Sequence, residues 1–354
     1  MYNFEKLSIG DVNVDEYENS FDNKNLFCTV EWLSFLSVFR KVTPIVIRIT
    51  DNKKFVGYFS GAFFSKFGFK ILGSPFYGWM GLHMGFEFVN LPENCYSELI
   101  DEFVSFVKRE LRITYFVFAD FKINREILHK CKQEFFIETD ARSYFLDISK
   151  SEEELFKNLK SGYRTCVRKF EKLGGRIVED YSDEFIEEHN KQLKDVFERK
   201  SLSAPDYSKR MKILRDNYRS MVLFIKALDE NGRNIASSYY LGGGKTAFFA
   251  SNASYTDSLK YNANQALMWF AIKYWKNKGM TTMDLAGTGD YKANYGSELF
   301  ETPIVVCARY KWEYVLIQKL RYIYYQRFRV KHKIIEFLHS PKKGNNTNEK
   351  RKES

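Results

Sequence analysis

Apolar and polar positions follow two different periods along the chain. Val30 to Phe39 (VEWLSFLSVF) and Glu98 to Leu111 repeat apolar residues every three to four positions, the spacing of one helix face. Pro44 to Thr50 (PIVIRIT) and Phe55 to Phe64 (FVGYFSGAFF) read as strands, and Asp51-Asn52-Lys53-Lys54 between them has the composition of a turn. Thr114 to Asp120 (TYFVFAD) is a further strand pattern. Helix and strand alternate, which predicts a mixed α/β domain.

A second unit starts near Ser143. Ser151-Glu152-Glu153-Glu154 has the form of a capping box, with the serine bonding the first turn and Glu154 reaching back. Leu155, Leu159, Tyr163, Cys166, Phe170 and Leu173 then recur at helical spacing up to Gly174-Gly175, which predicts one helix. Phe185 to Arg199 and Tyr207 to Tyr218 are two more helices. Met221 to Leu228 and Ile235 to Leu241 are strands joined by Asp229-Glu230-Asn231-Gly232, a hairpin signal. Gly242-Gly243-Gly244 predicts another turn before the strand Lys245 to Asn252. Ala263 to Lys278 is apolar nearly all round, so this helix is expected to be buried. Thr281 to Ala286 and Thr302 to Trp312 are strands, and Tyr314 to Leu338 is a long basic-aromatic helix.

Composition narrows the class. A chain of 354 residues suits two domains, and 44% hydrophobic with 17% aromatic residues supplies ample core. No membrane-spanning run and no leader pattern is read in the sequence. The 5 cysteines, Cys28, Cys95, Cys131, Cys166 and Cys307, are scattered without a C-x-x-C, which implies reduced thiols and a cytoplasmic setting. The 5 histidines lack metal-ligand spacing, so no metal is expected. The net charge of +10 favours polyanionic partners such as nucleic acid, phosphorylated cofactors or an anionic membrane surface. The tail Ser340 to Ser354 is short, polar and basic, with the character of a disordered end able to touch the inner face of a membrane.

Candidate chemistry gathers in DLAGTGDYKANYG, Asp284 to Gly296. The plainer reading is an exposed strand-to-helix loop with a solvated lysine. The functional reading places it at the carboxyl end of a strand, where α/β folds put ligands. Gly287 and Gly289 then allow close backbone approach, Lys292 offsets phosphate or developing negative charge, and Asp284 anchors the loop. The helix start Tyr261-Asn262-Ala263-Asn264-Gln265 offers free N–H groups to phosphate or a carbonyl, with Asn262 equally readable as an ordinary cap. Lys157, Lys160, Arg164, Arg168 and Lys172 form a basic face, most simply solvated. Tyr239, Tyr240, Phe248 and Phe249 lie on strands where alternation sends some toward a groove.

The second unit, from Ser143 to Ala308, resembles the second domain of the Fem-type peptidoglycan-bridge aminoacyltransferases and the related CelD-like acyltransferases. The resemblance is carried by SGYRTCVRKFEKLGGRIVED, NGRNIASSYYLGGGKTAFFASNASY and KYNANQALMWFAIKYWKNKGMTTMDLAGTGDYKANYG. It implies two tandem GNAT-like domains, 1–142 and 143–313, with the helix 314–338 returning to complete the first and 340–354 as tail. It also implies transfer of an acyl or aminoacyl group to an amine of a cell-envelope or polysaccharide precursor, by direct attack on the donor carbonyl. The donor is an acyl-coenzyme A or an aminoacyl-transfer RNA, neither tightly held, and the acceptor is an amine-bearing glycan, sugar nucleotide or lipid-linked precursor. Tyr291-Lys292 resembles the family's aromatic-lysine pair, whose lysine is needed for transfer. Tyr261 matches a family tyrosine, Arg164 and Arg168 become anion contacts, Tyr240 lines the acceptor groove, and Ser251 and Asn252 end a strand that splays to expose oxyanion donors.

The chain departs from the family pattern in several places. The segment after Trp32, Leu33-Ser34-Phe35-Leu36-Ser37, lacks the phosphate-holding lysine. Ala204-Pro205 stands where the family has arginine-proline. A competing reading is a non-catalytic anion- or RNA-binding protein, motivated by Lys319 to Lys333 (KLRYIYYQRFRVKHK) and the net charge.

Overall fold

The computed structural model describes residues 1–66, 68–89, 91–323 and 326. Met1–Cys307 form one unit and Ala308–Ser354 a second. The first unit begins with β1 (Tyr2–Leu7), α1 (Val14–Asn19), α2 (Val30–Arg40), β2 (Thr43–Asp51), β3 (Lys54–Lys66), β4 (Phe69–Ser74), β5 (Gly85–Phe88), α3 (Tyr96–Arg109), β6 (Tyr115–Phe118), α4 (Arg125–Lys130) and β7 (Phe136–Asp147). It continues through α5 (Glu152–Asn158), α6 (Ser161–Lys172), β8 (Arg176–Glu179), α7 (Asp183–Glu198), α8 (Ser208–Asn217), β9 (Val222–Leu228), β10 (Asn234–Gly243), β11 (Thr246–Ser254), α9 (Ala263–Asn277), β12 (Thr282–Asp284) and β13 (Glu298–Ala308).

Local chemistry sets many of these boundaries. The Thr29 hydroxyl accepts from the Trp32 N–H at the start of α2, and Lys41 ends that helix in the left-handed region at φ 56°. At α5 both halves of the Ser151–Glu154 capping box form.

The topology repeats. In each half four strands run antiparallel, β1-β2-β3-β4 and β8-β9-β10-β11. Helices fill the same gaps, α1 and α2 between β1 and β2, α7 and α8 between β8 and β9. A crossover through α3 or α9 then adds a parallel partner, β6 beside β4 and β12 beside β11. This is the tandem GNAT-like arrangement implied by the resemblance, and it joins into one mixed sheet ordered β1-β2-β3-β4-β6-β13-β7-β12-β11-β10-β9-β8.

The halves exchange their last strands. β7, which ends the first half, lies against β12 of the second, and β13, which ends the second, lies next to β6 of the first. The expected domain boundary at 142/143 therefore falls inside β7, which pairs Ser143 with Phe300 and Leu146 with Met283.

Helices cover both faces of the second half. One face packs α6 and α9 through Val167, Phe170, Leu267 and Trp275 against Tyr240, Ala247 and Met283. The other packs α7 and α8 with α2 through Phe185, Leu214, Trp32 and Phe35 against Phe224, Tyr239 and Phe248.

Three sequence expectations change. The helix expected from Leu155 to Leu173 is two helices, because Leu159 turns extended (φ −60°, ψ 138°) and the Lys160 N–H bonds Asn294 O at 2.9 Å. Gly242 and Gly243 are strand, not turn. A Cβ on Gly242 would lie 2.3 Å from the Trp275 ring, so the glycine is a packing requirement of α9. β13 starts at Glu298 rather than Thr302, since its pairing with β7 extends the ladder. The polar N-terminus forms β1, an edge strand stabilised by pairing with β2. In the second unit residues 311–323 are helical; the rest of the expected helix 314–338 apart from residue 326, and the tail 340–354, lie outside the described residues.

Candidate functional site

The site forms where two parallel strands part. β11 pairs with β12 only over Thr246–Phe248, opposite Thr282–Asp284. β12 then stops while β11 continues to Ser254 with β10 alone beside it. Tyr239 pairs with Ser251 and Tyr240 with Phe249, so Ala250 is an extra residue, a bulge at the parting. Beyond Phe248 the outer edge of β11 therefore offers backbone groups to a ligand.

The loop DLAGTGDYKANYG closes over this opening. Ala286 and Gly287 both adopt φ 56°, and a left-handed alanine costs about 1 kcal/mol or more. Asp284 holds that conformation: its Oδ1 accepts from the Ala286 N–H at 2.7 Å and from the Ser143 hydroxyl. A 3-10 turn, Asp290–Tyr295, follows. It is fixed by the Asn294 carbonyl on Lys160, by Ser297 Oγ donating to Lys292 O at 2.8 Å, and by the Tyr163 and Tyr295 rings at 4.9 Å.

That turn aims Lys292 inward, and the residue is only 7% exposed. Its Nζ lies 6.0 Å from the Phe249 ring centre, 5.7 Å from that of Tyr291, and 3.7 Å from where a Gly287 Cβ would stand. Among the described residues Nζ has no hydrogen-bond or carboxylate partner. Burial lowers the Lys292 pKa, opposed by the charge of Asp284. A largely desolvated cation whose carboxylate neighbour, Asp284, lies beyond ion-pair distance is suited to an anion or a carbonyl oxygen gaining charge.

Asp284 is wholly buried, and its second oxygen has no hydrogen bond. His83, from the loop before β5, brings Nε2 to 3.6 Å of that oxygen. The Asn25 amide donates to His83 Nδ1 at 3.1 Å, its orientation set by the Phe27 N–H on Asn25 Oδ1. That assigns the proton of neutral His83 to Nε2, facing Asp284. Phe27, Phe121 and Phe145 rings enclose the imidazole.

The remaining sequence candidates divide. Tyr240 is buried on the α9 side with its hydroxyl unpaired, and burial pushes its pKa up. Phe249 packs on its ring at 5.6 Å, which places Tyr240 beside the ring facing Lys292. Tyr291 is half exposed at the loop tip; a Cβ on Gly289 would lie 2.7 Å from its ring. Asn264 reaches the end of β11, Nδ2 to Ser254 Oγ at 3.3 Å, and leaves its buried Oδ1 unpaired. Asn252 is half-buried on the same unpaired stretch of β11.

Other candidates are engaged in structure. Ser251 donates to His189 Nε2 at 3.0 Å, His189 Nδ1 to Ser237 Oγ at 2.8 Å, and Ser237 to Gln192 Oε1. Burial and then the Arg210 charge depress the His189 pKa to about 3, so this chain is neutral and holds Ser251 rather than activating it. Tyr261 bonds the Glu230 carboxylate at 2.8 and 3.0 Å, tying α9 to the β9–β10 turn. Asn262 is left-handed and makes no side-chain cap; its amide bonds Lys260 O at 3.3 Å. Arg164 donates to the carbonyls of Lys157 and Leu159, closing the break between α5 and α6. Arg168 stacks over Phe156 at 5.3 Å.

Sequence reading passed over His83, Arg40 and Arg210. His83 stands in a loop without any motif, and histidine spacing along the chain speaks only to metal binding. Arg210 stacks on Tyr207 at 4.0 Å and donates to the Tyr239 hydroxyl, with its buried Nε unpaired. Arg40 donates to Gly78 O at 2.9 Å, and burial and the nearby Arg210 charge lower its pKa. Among the described residues neither guanidinium meets a carboxylate.

The fold matches the crystal structure of FemX with a TM-score of 0.66 at 14% identity, covering 85% of this chain and 96% of that one. A conserved protein of unknown function from Bacteroides thetaiotaomicron VPI-5482 matches at 0.50 and 9% identity, over 87% and 100%. A tandem GNAT protein from the clavulanic acid biosynthesis pathway matches at 0.46 and 9% identity, over 88% and 99%. No protein-family model and no curated protein matches the sequence. The chain has a FemX-like tandem GNAT fold.

Proposed function

We propose that this chain is an N-acyltransferase that moves an acyl or aminoacyl group onto an amine of a cell-envelope or polysaccharide precursor. The observation that carries this reading is Lys292, a buried lysine whose Nζ has no hydrogen-bond or ion-pair partner among the described residues, set at the parting of β11 and β12 beside a bulge. The donor carbonyl lies along the open edge of β11. The acceptor nitrogen attacks the carbonyl carbon, a C–N bond forms, and Lys292 with β11 backbone N–H groups stabilises the oxyanion. The C–S bond of a thioester or the C–O bond of an ester then breaks. Asp284, its free oxygen facing the Nε2–H of His83, takes up the amine proton and returns it to the leaving thiolate or alkoxide. No covalent enzyme intermediate is required, and the gain comes from orientation and charge.

The two halves of Met1–Cys307 act as one body in this reading, since each supplies the other's last strand. Arg40 and Arg210 are the groups for an anionic portion of the acceptor, in place of the lysine and arginine–proline absent here. The work is placed in the cytoplasm, where both donor classes are made.

The test is a transfer assay read by mass spectrometry, with acetyl-coenzyme A, longer acyl-coenzyme A and aminoacyl-transfer RNA as donors and amino-sugar nucleotides as acceptors. One donor class should give an N-acylated product, and Lys292→Ala should lower the rate about a hundredfold or more. Product formation indifferent to Lys292→Ala would remove the site assignment. Absence of product and of donor binding in all three classes would remove the function.

A further inference from the structure

The net charge of +10 is almost entirely a property of the second unit. Residues 308–354 contain 13 Lys and Arg against 4 Asp and Glu, leaving 42 against 41 for residues 1–307. The part that carries the candidate site is close to neutral, so the basic excess has no evident role in donor or acceptor chemistry there.

The described start of this unit adds a second observation. Tyr310 N–H bonds the Glu313 carboxylate at 3.0 Å and Arg309 pairs with the same side chain, which fixes the start of the helix over 311–323. Glu313 and Ile317 are buried on one side of it. The opposite side exposes Trp312 (58%), Val315 (44%), Tyr322 (65%) and Ile323 (52%). At the helical turn angle these four fall within an arc of about 100°, with Lys319 inside it. The helix is thus apolar on an outward face, and that face carries aliphatic and amphipathic aromatic residues together with a lysine.

We propose that this unit docks the protein on an anionic lipid surface, with the Trp312–Ile323 face entering the headgroup boundary. The chemistry matches that partner. Tryptophan and tyrosine belong at a membrane interface, Lys319 can extend its charge outward from the apolar face, and the flanking basic residues meet anionic headgroups. An RNA would use the positive charge and stack on the aromatics, but Val315 and Ile323 would gain little from it. The inference stands independently of the transferase reading, and its consequence for that reading is an acceptor presented at a membrane.

The experiment is vesicle flotation of the full chain with phosphatidylcholine alone and with phosphatidylcholine mixed with phosphatidylglycerol. Poly(U) RNA is added as competitor in a separate arm. The protein should float with the mixed vesicles at least about tenfold more than with the neutral ones, and raising salt from about 0.1 M to about 0.5 M should release much of it. Tyr322→Glu with Ile323→Glu, and separately Lys319→Glu, should reduce flotation while leaving the melting temperature and transfer to a soluble acceptor unchanged. Lys292→Ala should float like wild type, which separates this proposal from the catalytic one. Equal flotation on both vesicle types, no flotation, or variants that float like wild type would overturn it. Displacement from vesicles by poly(U), with tighter binding to the RNA, would also overturn it in favour of a nucleic-acid partner.

Discussion

His83 Nε2 and Asp284 Oδ2 face each other at 3.6 Å, both buried and neither within a hydrogen bond. His83 comes from the first half of the unit and Asp284 from the parting strand of the second. The gap is too long for a direct bond and leaves a buried donor and acceptor to be satisfied, a condition that native interiors reserve for few sites. A substrate amine entering there would find both a carboxylate oxygen and an imidazole.

Asp284→Asn should move the high-pH side of the activity profile downward. The Asp284 charge raises the Lys292 pKa against the lowering by burial, so removing it lets Lys292 lose its proton at lower pH. His83→Ala keeps that charge, and should reduce turnover without the same displacement of the profile. A pH–rate series on the two variants checks this. An unmoved alkaline limb in Asp284→Asn would show that Lys292 is not the group titrating.

Lys292→Met should lose transfer yet raise the melting temperature. Burial depresses the lysine pKa, so between the folded and unfolded values the unfolded chain binds more protons and stability rises with pH. At neutral pH the charged form is a cost, and an apolar chain of similar length relieves it. Thermal melts of both proteins across pH 6 to 10 should converge toward high pH.

His189 should make the protein acid-sensitive. Its folded pKa is about 3 against an ordinary 6.5, so the unfolded chain takes up a proton first as pH falls. The stability it allows is complete above about 6.5 and is lost progressively toward 3. His189→Gln should flatten the slope of denaturation midpoint against pH in that window, at the expense of weaker bonds to Ser237 and Ser251.

Gly242→Ala should destabilise by about 1–3 kcal/mol, because the added methyl meets the Trp275 ring at 2.3 Å with β10 and α9 both packed. A denaturant titration measures it. Gly232→Ala tests the other glycine constraint: nothing lies within 4 Å of its Cβ, and the loss comes from φ 81° alone.

Features that depend on neighbours along the chain are legible from residue order alone. The capping box at Ser151, the hairpin at Asp229 to Gly232, the buried helix α9 and the chemistry-bearing loop at Asp284 to Gly296 all follow from residue types at short spacing, where backbone geometry and local hydrogen bonds decide. Tertiary structure decided what depends on partners far along the chain. The exchange of β7 and β13 is a matter of which ladder each strand completes, and a strand pattern carries no address. The break at Leu159 follows from the Asn294 carbonyl meeting Lys160, although helical spacing runs on through it. The burial of Lys292, the engagement of Arg164 and Tyr261 in structural bonds, and the meeting of His83 with Asp284 arise because desolvation and hydrogen-bond satisfaction are settled in three dimensions.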